Sequence, residues 1–190
     1  MAPETNLSDP DSGHRMHLEP LKTPLRAEDR QHLVALLTDC VDSGAALGFL
    51  APLAVDEARD YWLAAASKAA TGDRVILVAR ESAAGPIVGS AQIVFETKAN
   101  GRHRAEVQKV MVLSTRRRRG IARQLMAEVE TLARTRERRL LFLDTSEGSP
   151  GARAFYETIG YIYAGGIPGY ALEPDGSPAK NAIYYKELTG

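Results

Sequence analysis

A strand-like run from about Arg104 to Leu113 passes directly into four consecutive arginines, Arg116 to Arg119, and then into a long apolar stripe. In that stripe Ile121, Ala122, Leu125, Met126, Val129, Leu132 and Ala133 recur every three or four residues, while Arg123, Glu128, Glu130 and Arg134 fall off it. A period of two that gives way to a helical period across a basic turn requires a strand that hands its chain straight to an amphipathic helix.

The rest of the chain is read by the same periods. Met16 to Lys22 suits a first strand. Leu33, Leu36, Leu37, Cys40 and Val41 keep the spacing of a buried helical stripe, so Cys40 is expected in the core. Asp56 to Ala70 repeats the pattern through Ala58, Tyr61, Trp62, Ala65, Ala66 and Ala69, with Pro52 and Gly72 marking the breaks on either side. Arg74 to Glu81 and Ile87 to Thr97 read as strands joined through Ala84, Gly85 and Pro86, and Asn100-Gly101 marks another turn. Leu140 to Asp144 has the short apolar form of a strand buried on both faces. Gly148, Ser149 and Pro150 open a helix with Ser149 placed to cap it, ending near Gly160. Tyr161 to Ala164 and Ala182 to Leu188 complete the set as strands, separated by a loop whose strongest turn signal is Asp175-Gly176. Strand, helix, helix, three strands, helix, strand, helix and two strands fit neither a strictly alternating Rossmann chain nor an all-β one.

At 190 residues, 44% of them hydrophobic, the chain has enough apolar material for one substantial core, and one domain is expected over 16–190. Residues 1–15, rich in Pro, Ser, Asp and Asn, read as a disordered tail without the basic start or apolar middle of a signal peptide. The 24 Lys and Arg balance the 24 Asp and Glu, so no overall field favours nucleic acid or an anionic membrane as partner. The longest apolar run, Ala45 to Val55, is too short to span a bilayer and is broken by Gly48 and Pro52. A single cysteine, Cys40, rules out an internal disulfide framework and a thiolate-rich metal site and suits the cytoplasm. His14, His17, His32 and His103 have no paired ligand spacing, and no metal is assigned. There is neither a Gly-x-Ser-x-Gly elbow nor a Walker loop.

Arg117-Arg118-Arg119-Gly120-Ile121-Ala122 has the form Arg/Gln-x-x-Gly-x-Gly/Ala and sits where the strand becomes the helix. The first turn of a helix leaves amides without partners and carries partial positive charge, so a diphosphate can be held there. Gly120 and Ala122 keep bulk out of the way, and neighbouring arginines add charge-assisted contacts. A solvated basic turn that caps a helix would have the same spelling. A nucleic-acid patch is a third reading, opposed by the zero net charge and by the absence of aromatic residues among these arginines.

This segment resembles the acetyl-CoA motif of the GCN5-related N-acetyltransferases (GNAT), and the element order from Met16 to Leu188 matches their fold. The resemblance implies an α/β (α+β) protein with a central mixed, mostly antiparallel sheet flanked by helices. More narrowly, Glu106-Val107-Gln108-Lys109-Val110-Met111-Val112-Leu113, Leu143-Asp144-Thr145, Ala154-Phe155-Tyr156 and Ile167-Pro168-Gly169-Tyr170 resemble the tabtoxin-resistance acetyltransferases. Ser114-Thr115 departs from the family, which often places a proline before the basic loop, and Ala122 replaces its commoner glycine. The resemblance implies acetyl-CoA as cosubstrate, with pantetheine along Val110, Met111 and Val112. Its phosphates would lie at Arg117, Arg118, Arg119, Gly120, Ile121, Ala122 and Arg123, with Ser149 as a further cofactor contact. Relatives commonly pair, which suggests a homodimer.

An alkyl amine, with a pKa of about 10.4, arrives protonated and must lose a proton before it attacks a thioester. Glu106 opens the strand that leads to the basic loop and is a candidate base; spacing alone favours a surface or edge-strand glutamate, and it is the family-like string around Glu106 that raises the catalytic reading to equal standing. Asp144 ends the neighbouring strand. The resemblance implies that the two carboxylates share water-mediated proton removal, while a turn aspartate bonding the amides after Thr145 is the structural alternative. Tyr156 is the candidate general acid for the departing thiolate, since a phenol is neutral at physiological pH; packing of the helix on the sheet is its alternative. Amides near Val110 and Met111 are suited to a developing oxyanion if the strand bulges there, because the apolar alternation changes phase between Val107 and Val110. Burial on both faces would give the same pattern.

Cys40, expected in the core, is a poor acyl carrier, so direct transfer in a ternary complex is expected. The acceptor pocket is assigned to two loops, Gly44 to Leu53 with Phe49 and Leu50, and Gly165 to Tyr170 with Tyr170; Phe49 equally suits packing beneath a loop. The expected acceptor is the primary amine of a small, amino-acid-like molecule such as a toxin or antibiotic. A peptide or protein amine, and a non-catalytic acetyl-CoA-binding module, are the alternatives.

Overall fold

A computed structural model describes residues 15–188; the expected tail lies, but for Arg15, outside the described residues. The elements are β1 (His17–Pro20), α1 (Ala27–Asp42), α2 (Val55–Ala69), β2 (Arg74–Arg80), β3 (Ile87–Phe95), β4 (Arg104–Val112), α3 (Ile121–Thr135), β5 (Leu140–Ser146), α4 (Pro150–Thr158), β6 (Ile162–Gly165), β7 (Ala171–Leu172), β8 (Pro178–Ala179) and β9 (Asn181–Glu187). Seven strands form one sheet in the order β1-β2-β3-β4-β5-β9-β6, antiparallel except for the β4–β5 pair. This is the expected mixed, mostly antiparallel sheet flanked by helices.

Each face of the sheet carries its own core. On one face the buried stripe of α3, formed by Ile121, Leu125, Met126, Val129 and Ala133, packs with Val88, Ile93, Val107, Leu141 and Tyr184. Gly89 of β3 permits close approach here, because a Cβ would stand 3.0 Å from the Met111 carbonyl and 3.2 Å from Ile121 and Leu125. On the other face Leu33, Leu36, Leu37, Cys40 and Val41 of α1 and Ala58, Trp62 and Ala65 of α2 cover Ile76, Val78, Ile87 and Met111. The helical spacings read from the sequence thus select the buried residues in all three helices.

Three local expectations are corrected. Glu130, expected off the α3 stripe, is buried because Lys186 of β9 reaches it with Nζ 2.7 Å from Oε1. β5, expected to be buried on both faces, alternates: Leu141 and Leu143 are buried, Phe142 is half-buried and Asp144 is exposed. The reason is the gap beside it described below. Ser149 occupies the N-cap position of α4, but its side chain caps no amide; its carbonyl accepts from Ala152 and Arg153 at 3.1 Å. Asp175-Gly176 closes a small hairpin, β7–β8, that periodicity cannot register in strands of two residues.

Candidate active site

The β4–β5 pairing lasts for three residues, Arg104 with Leu140, Ala105 with Leu141 and Glu106 with Phe142. Beyond them β4 stays with β3 as far as Val112, and β5 stays with β9 as far as Ser146. The two strands therefore part in a V whose arms are the backbones of residues 107–112 and 143–146. The inner edge of β4 in this V has no ladder partner among the described residues, so it can hydrogen-bond an extended ligand as a further strand would.

Within the V, β4 bulges. Gln108 opposes Gln92 and Met111 opposes Ser90, so β4 uses one residue more than β3 across this step, and Lys109 takes φ 51. The faces reverse as a result. Ala105 and Val107 join the α3-side core, and past the bulge Val110 and Val112 pack on that same side while Met111 joins the α1–α2 side. The phase change in the sequence is thus a bulge and not burial on both faces. Glu106, before the bulge, takes the α1–α2 face, and Asp144 lies two residues beyond Phe142, the register partner of Glu106.

Tyr156 belongs to the opposite core, against Phe155, Tyr161 and Tyr184 at ring-centroid distances of 5.2, 5.9 and 5.9 Å. Its hydroxyl has no hydrogen-bond partner among the described residues. Burial, followed by the negative field of Asp144, pushes its pKa well above the ordinary phenol value. Asp144 acts in the same way across the gap on Lys109, whose ammonium also feels Glu106. Asp144 therefore acts on both Tyr156 and Lys109, and Glu106 on Lys109, with the carboxylates towards α1–α2 and the phenol towards α3–α4.

At the outer end of β4 the chain makes a short 3-10 turn, Ser114–Arg116, and enters α3 through Arg118 at φ 64 and Gly120 at φ 75. Two left-handed residues within three positions curl the backbone so that its amides converge, the geometry of an anion-binding nest. The first helical bond closes from the Gln124 amide to the Gly120 carbonyl at 3.1 Å, and the amides from Arg118 to Arg123 find no acceptor among the described residues. A Cβ at Gly120 would meet nothing within 4 Å, so the space before these amides is open. Arg118, Arg119 and Arg123 are exposed and make no ion pair among the described residues. Arg117 is placed differently: its Nη2 donates to Ser43 Oγ at 2.6 Å and its Nε to the Val112 carbonyl at 3.3 Å. These features fit a diphosphate, with unpartnered amides to receive it and exposed guanidinium groups around it.

Sequence reading missed what fixes this loop. Both oxygens of Asp39, on α1, accept from Ser114, one from its amide and one from its hydroxyl, each at 2.7 Å. The serine that stands where a proline is common is therefore a tether. Cys40, one residue on, donates its thiol to the Val112 carbonyl at 3.4 Å, and burial raises its pKa to about 11, which keeps it protonated and unreactive at neutral pH.

The first expected acceptor loop, 44–53, is tied not to the 165–170 loop but to the β7–β8 hairpin that follows it, where the Ala51 amide donates to the Pro174 carbonyl at 2.8 Å. Phe49 packs edge-on against Tyr61 of α2 at 5.4 Å and turns towards the cleft, whereas Leu50 and Tyr170 are more than half exposed. The sequence reading gave no site role to three further residues of this side, Lys109, Tyr61 and Gln92. Lys109 reaches over Phe49 and Tyr61 with Nζ 5.9 and 5.8 Å from their ring centres. Gln92, fully buried, donates to the Tyr61 hydroxyl at 2.8 Å and accepts from Arg74. The signal for Lys109 was present: it is the charged residue at which the alternation of β4 changes phase.

No helix among the described residues is long and apolar enough to cross a membrane. Similar folds occur in a ribosomal-protein-alanine N-acetyltransferase from Brucella melitensis, at 24% identity and TM-score 0.72, covering 90% of this chain and 99% of that one. Another is yncA from Salmonella typhimurium, provisionally assigned as an acetyltransferase and solved with acetyl-CoA, at 15% identity and TM-score 0.74, covering 93% and 95%. A third, provisionally assigned as a phosphinothricin N-acetyltransferase, has 20% identity and TM-score 0.73, covering 93% and 100%. The family model described as the acetyltransferase (GNAT) family matches residues 49–161, more than half of the chain and the whole stretch from the acceptor loop through the V to Tyr156. With the parted strands, the amide nest and that match in agreement, the chain belongs to the GNAT family of acetyltransferases, enzymes that acetylate amines from acetyl-CoA.

Proposed function

We propose that this enzyme acetylates the primary amine of a small, amino-acid-like molecule by direct attack within a ternary complex. The observation that carries the reading is the V between β4 and β5, with proton-accepting carboxylates on one face and a buried neutral phenol on the other. When bound there, acetyl-CoA supplies an activated acyl carbon and a thiolate leaving group. Glu106, with Asp144 through water, takes the proton from the incoming ammonium on the α1–α2 face. Backbone amides around Val110 and Met111, next to the bulge, donate to the charge that develops on the carbonyl oxygen in this reading. Tyr156 gives its proton to the sulfur from the α3–α4 face, so base and acid work from opposite sides and do not compete for one proton.

The small-molecule reading rests on the acceptor side, where the 44–53 loop joins the β7–β8 hairpin through Ala51 and Pro174 and narrows the approach. The provisional assignment of one structural neighbour to phosphinothricin, an amino-acid-like compound, agrees with it. A screen of free amino acids, simple amines and short peptides with acetyl-CoA, reading released thiol and product mass, tests the proposal. Acceptor-dependent turnover of small amines is expected. Thiol release without acceptor, or turnover of peptide amines alone, would overturn it.

The Asp39–Ser114 tether leads to a further expectation. Ser114→Ala removes one of the two bonds by which Asp39 holds the nest loop, a loss of about 1 kcal/mol. We therefore expect the KM for acetyl-CoA to rise about fivefold with kcat little changed. Steady-state kinetics with acetyl-CoA as the varied substrate gives the answer, and an unaltered KM would show that α1 does not position the loop.

A further inference from the structure

The ammonium of Lys109 is the least satisfied charge in the acceptor cleft. It is largely withdrawn from water, yet makes no hydrogen bond or ion pair among the described residues. The rings of Phe49 and Tyr61, at 5.9 and 5.8 Å, offset part of that loss through their negative faces but accept none of its three N–H donors conventionally. Burial lowers its pKa, as does Arg74; Asp144 and Glu106 oppose this and favour the charged form. Neither carboxylate lies within ion-pair distance of it. The backbone shares the cost, since Lys109 holds φ 51 within a strand, a conformation that non-glycine residues rarely adopt.

Tyr61 is in a similar state. Its hydroxyl oxygen accepts from Gln92, whose own oxygen is occupied by Arg74, and its proton goes to no acceptor among the described residues. One ammonium and one phenol, side by side on the floor of the cleft, are therefore donors without acceptors. Near them, within the electrostatic reach of Lys109, are Glu106 and Asp144, acceptors on the side where the proposed chemistry receives an ammonium. The cleft has two poles, and a molecule that satisfies both carries an anion and an amine.

We propose that Lys109, assisted by the Tyr61 hydroxyl, forms an anion subsite that binds the carboxylate of the acceptor, or an equivalent phosphinate or phosphonate, while the amine lies toward Glu106 and Asp144. This rests on the small-amine reading above and narrows it to zwitterionic acceptors. It makes Lys109 a specificity-determining residue that touches substrate, and it accounts for a lysine at a strained bulge where a neutral residue would cost less to bury.

The test uses a set of L-amino acids, each presented as the free acid and as its carboxamide, with the full-length wild type, Lys109→Met and Lys109→Arg. In the wild type kcat/KM for the acids is expected to exceed that for the carboxamides by about tenfold or more. Lys109→Met should abolish the preference mainly through KM, and Lys109→Arg should retain most of it. The rise in melting temperature with acetyl-CoA should be the same in all three, which separates loss of the subsite from misfolding. Equal wild-type rates on acids and carboxamides, or an acid preference that survives in Lys109→Met, would overturn the subsite and leave the small-amine reading standing. Failure of every amino acid and carboxamide, with peptides turned over, would remove both.

Discussion

Tyr156→Phe is expected to lower kcat by about a hundredfold or more while acetyl-CoA still raises the melting temperature as it does for the wild type. The substitution deletes one oxygen from a ring buried among Phe155, Tyr161 and Tyr184. Because that hydroxyl has no hydrogen-bond partner among the described residues, its removal orphans no other group, and stability should change little. On the proposed mechanism, what is lost is the proton given to the departing thiolate. Burial and the field of Asp144 hold the phenol protonated beyond the usual range of tyrosine, so the acid is fully present at neutral pH. The wild-type rate should consequently not decline through the ordinary tyrosine pKa near pH 10, and an alkaline limb below that value belongs to another group. Single-turnover measurements with saturating acetyl-CoA separate the chemical step from product release. A kcat within twofold of wild type would remove Tyr156 from the acid role and leave it as a packing residue.

The parts of this enzyme that repeat along the chain were legible in its sequence, because helical and strand periods record burial directly. The stripes of α1, α2 and α3 name the buried residues almost one for one, and the strand-to-helix passage at Arg117 to Ala122 locates the amide nest. The phase change after Val107 even marked the bulge. What could not be read depends on contacts between residues far apart in the chain. Glu130 is buried only because Lys186 meets it from β9, and β5 is half-open only because β4 leaves it after three pairs. Asp39 and Ser114 are 75 positions apart, so neither residue discloses the tether by itself. The acceptor side was the least legible for the same reason: Phe49, Tyr61, Gln92 and Lys109 come from a loop, a helix and two strands, and periodicity carries no information about which of them face one another.

Asp29→Ala is expected to destabilise the protein by about 3 kcal/mol or more, a fall in melting temperature of about 6 to 12 °C for a chain of this size. Asp29 lies in the first turn of α1 and Arg80 ends β2, each about 3% exposed, with Nη2 of Arg80 2.6 Å from Oδ1 of Asp29. The remaining donors of Arg80 go to Glu19 and to the Gly85 carbonyl, both at 2.9 Å, and Arg26 closes over the other oxygen of Asp29 at 2.8 Å. Removing the carboxylate leaves a guanidinium out of water with one charged partner, the partly exposed Glu19, beside the Gly85 carbonyl, and that under-compensated charge dominates the loss. The double substitution Asp29→Leu with Arg80→Met, which removes both charges, should therefore recover much of it. The pH dependence follows from the direction of the aspartate's shift. Burial alone would raise its pKa, but the hydrogen bonds and charges of Arg26 and Arg80 outweigh burial and hold it below the ordinary carboxylate value. A carboxylate of lowered pKa contributes in full above its unfolded value, about 3.9, and loses that contribution as pH falls through the folded one. The gap between wild type and Asp29→Ala should thus be constant from about pH 5 to 8 and narrow only in stronger acid. Denaturant midpoints across that range measure it; a loss below about 1 kcal/mol at pH 7, or a gap that closes already near pH 6, would mean that Arg80 finds other partners when Asp29 is gone. Since α1 also carries Asp39, and Ser43 follows it at the C-cap, both bonded to the nest loop, this ion pair fixes one end of the helix whose other end holds that loop.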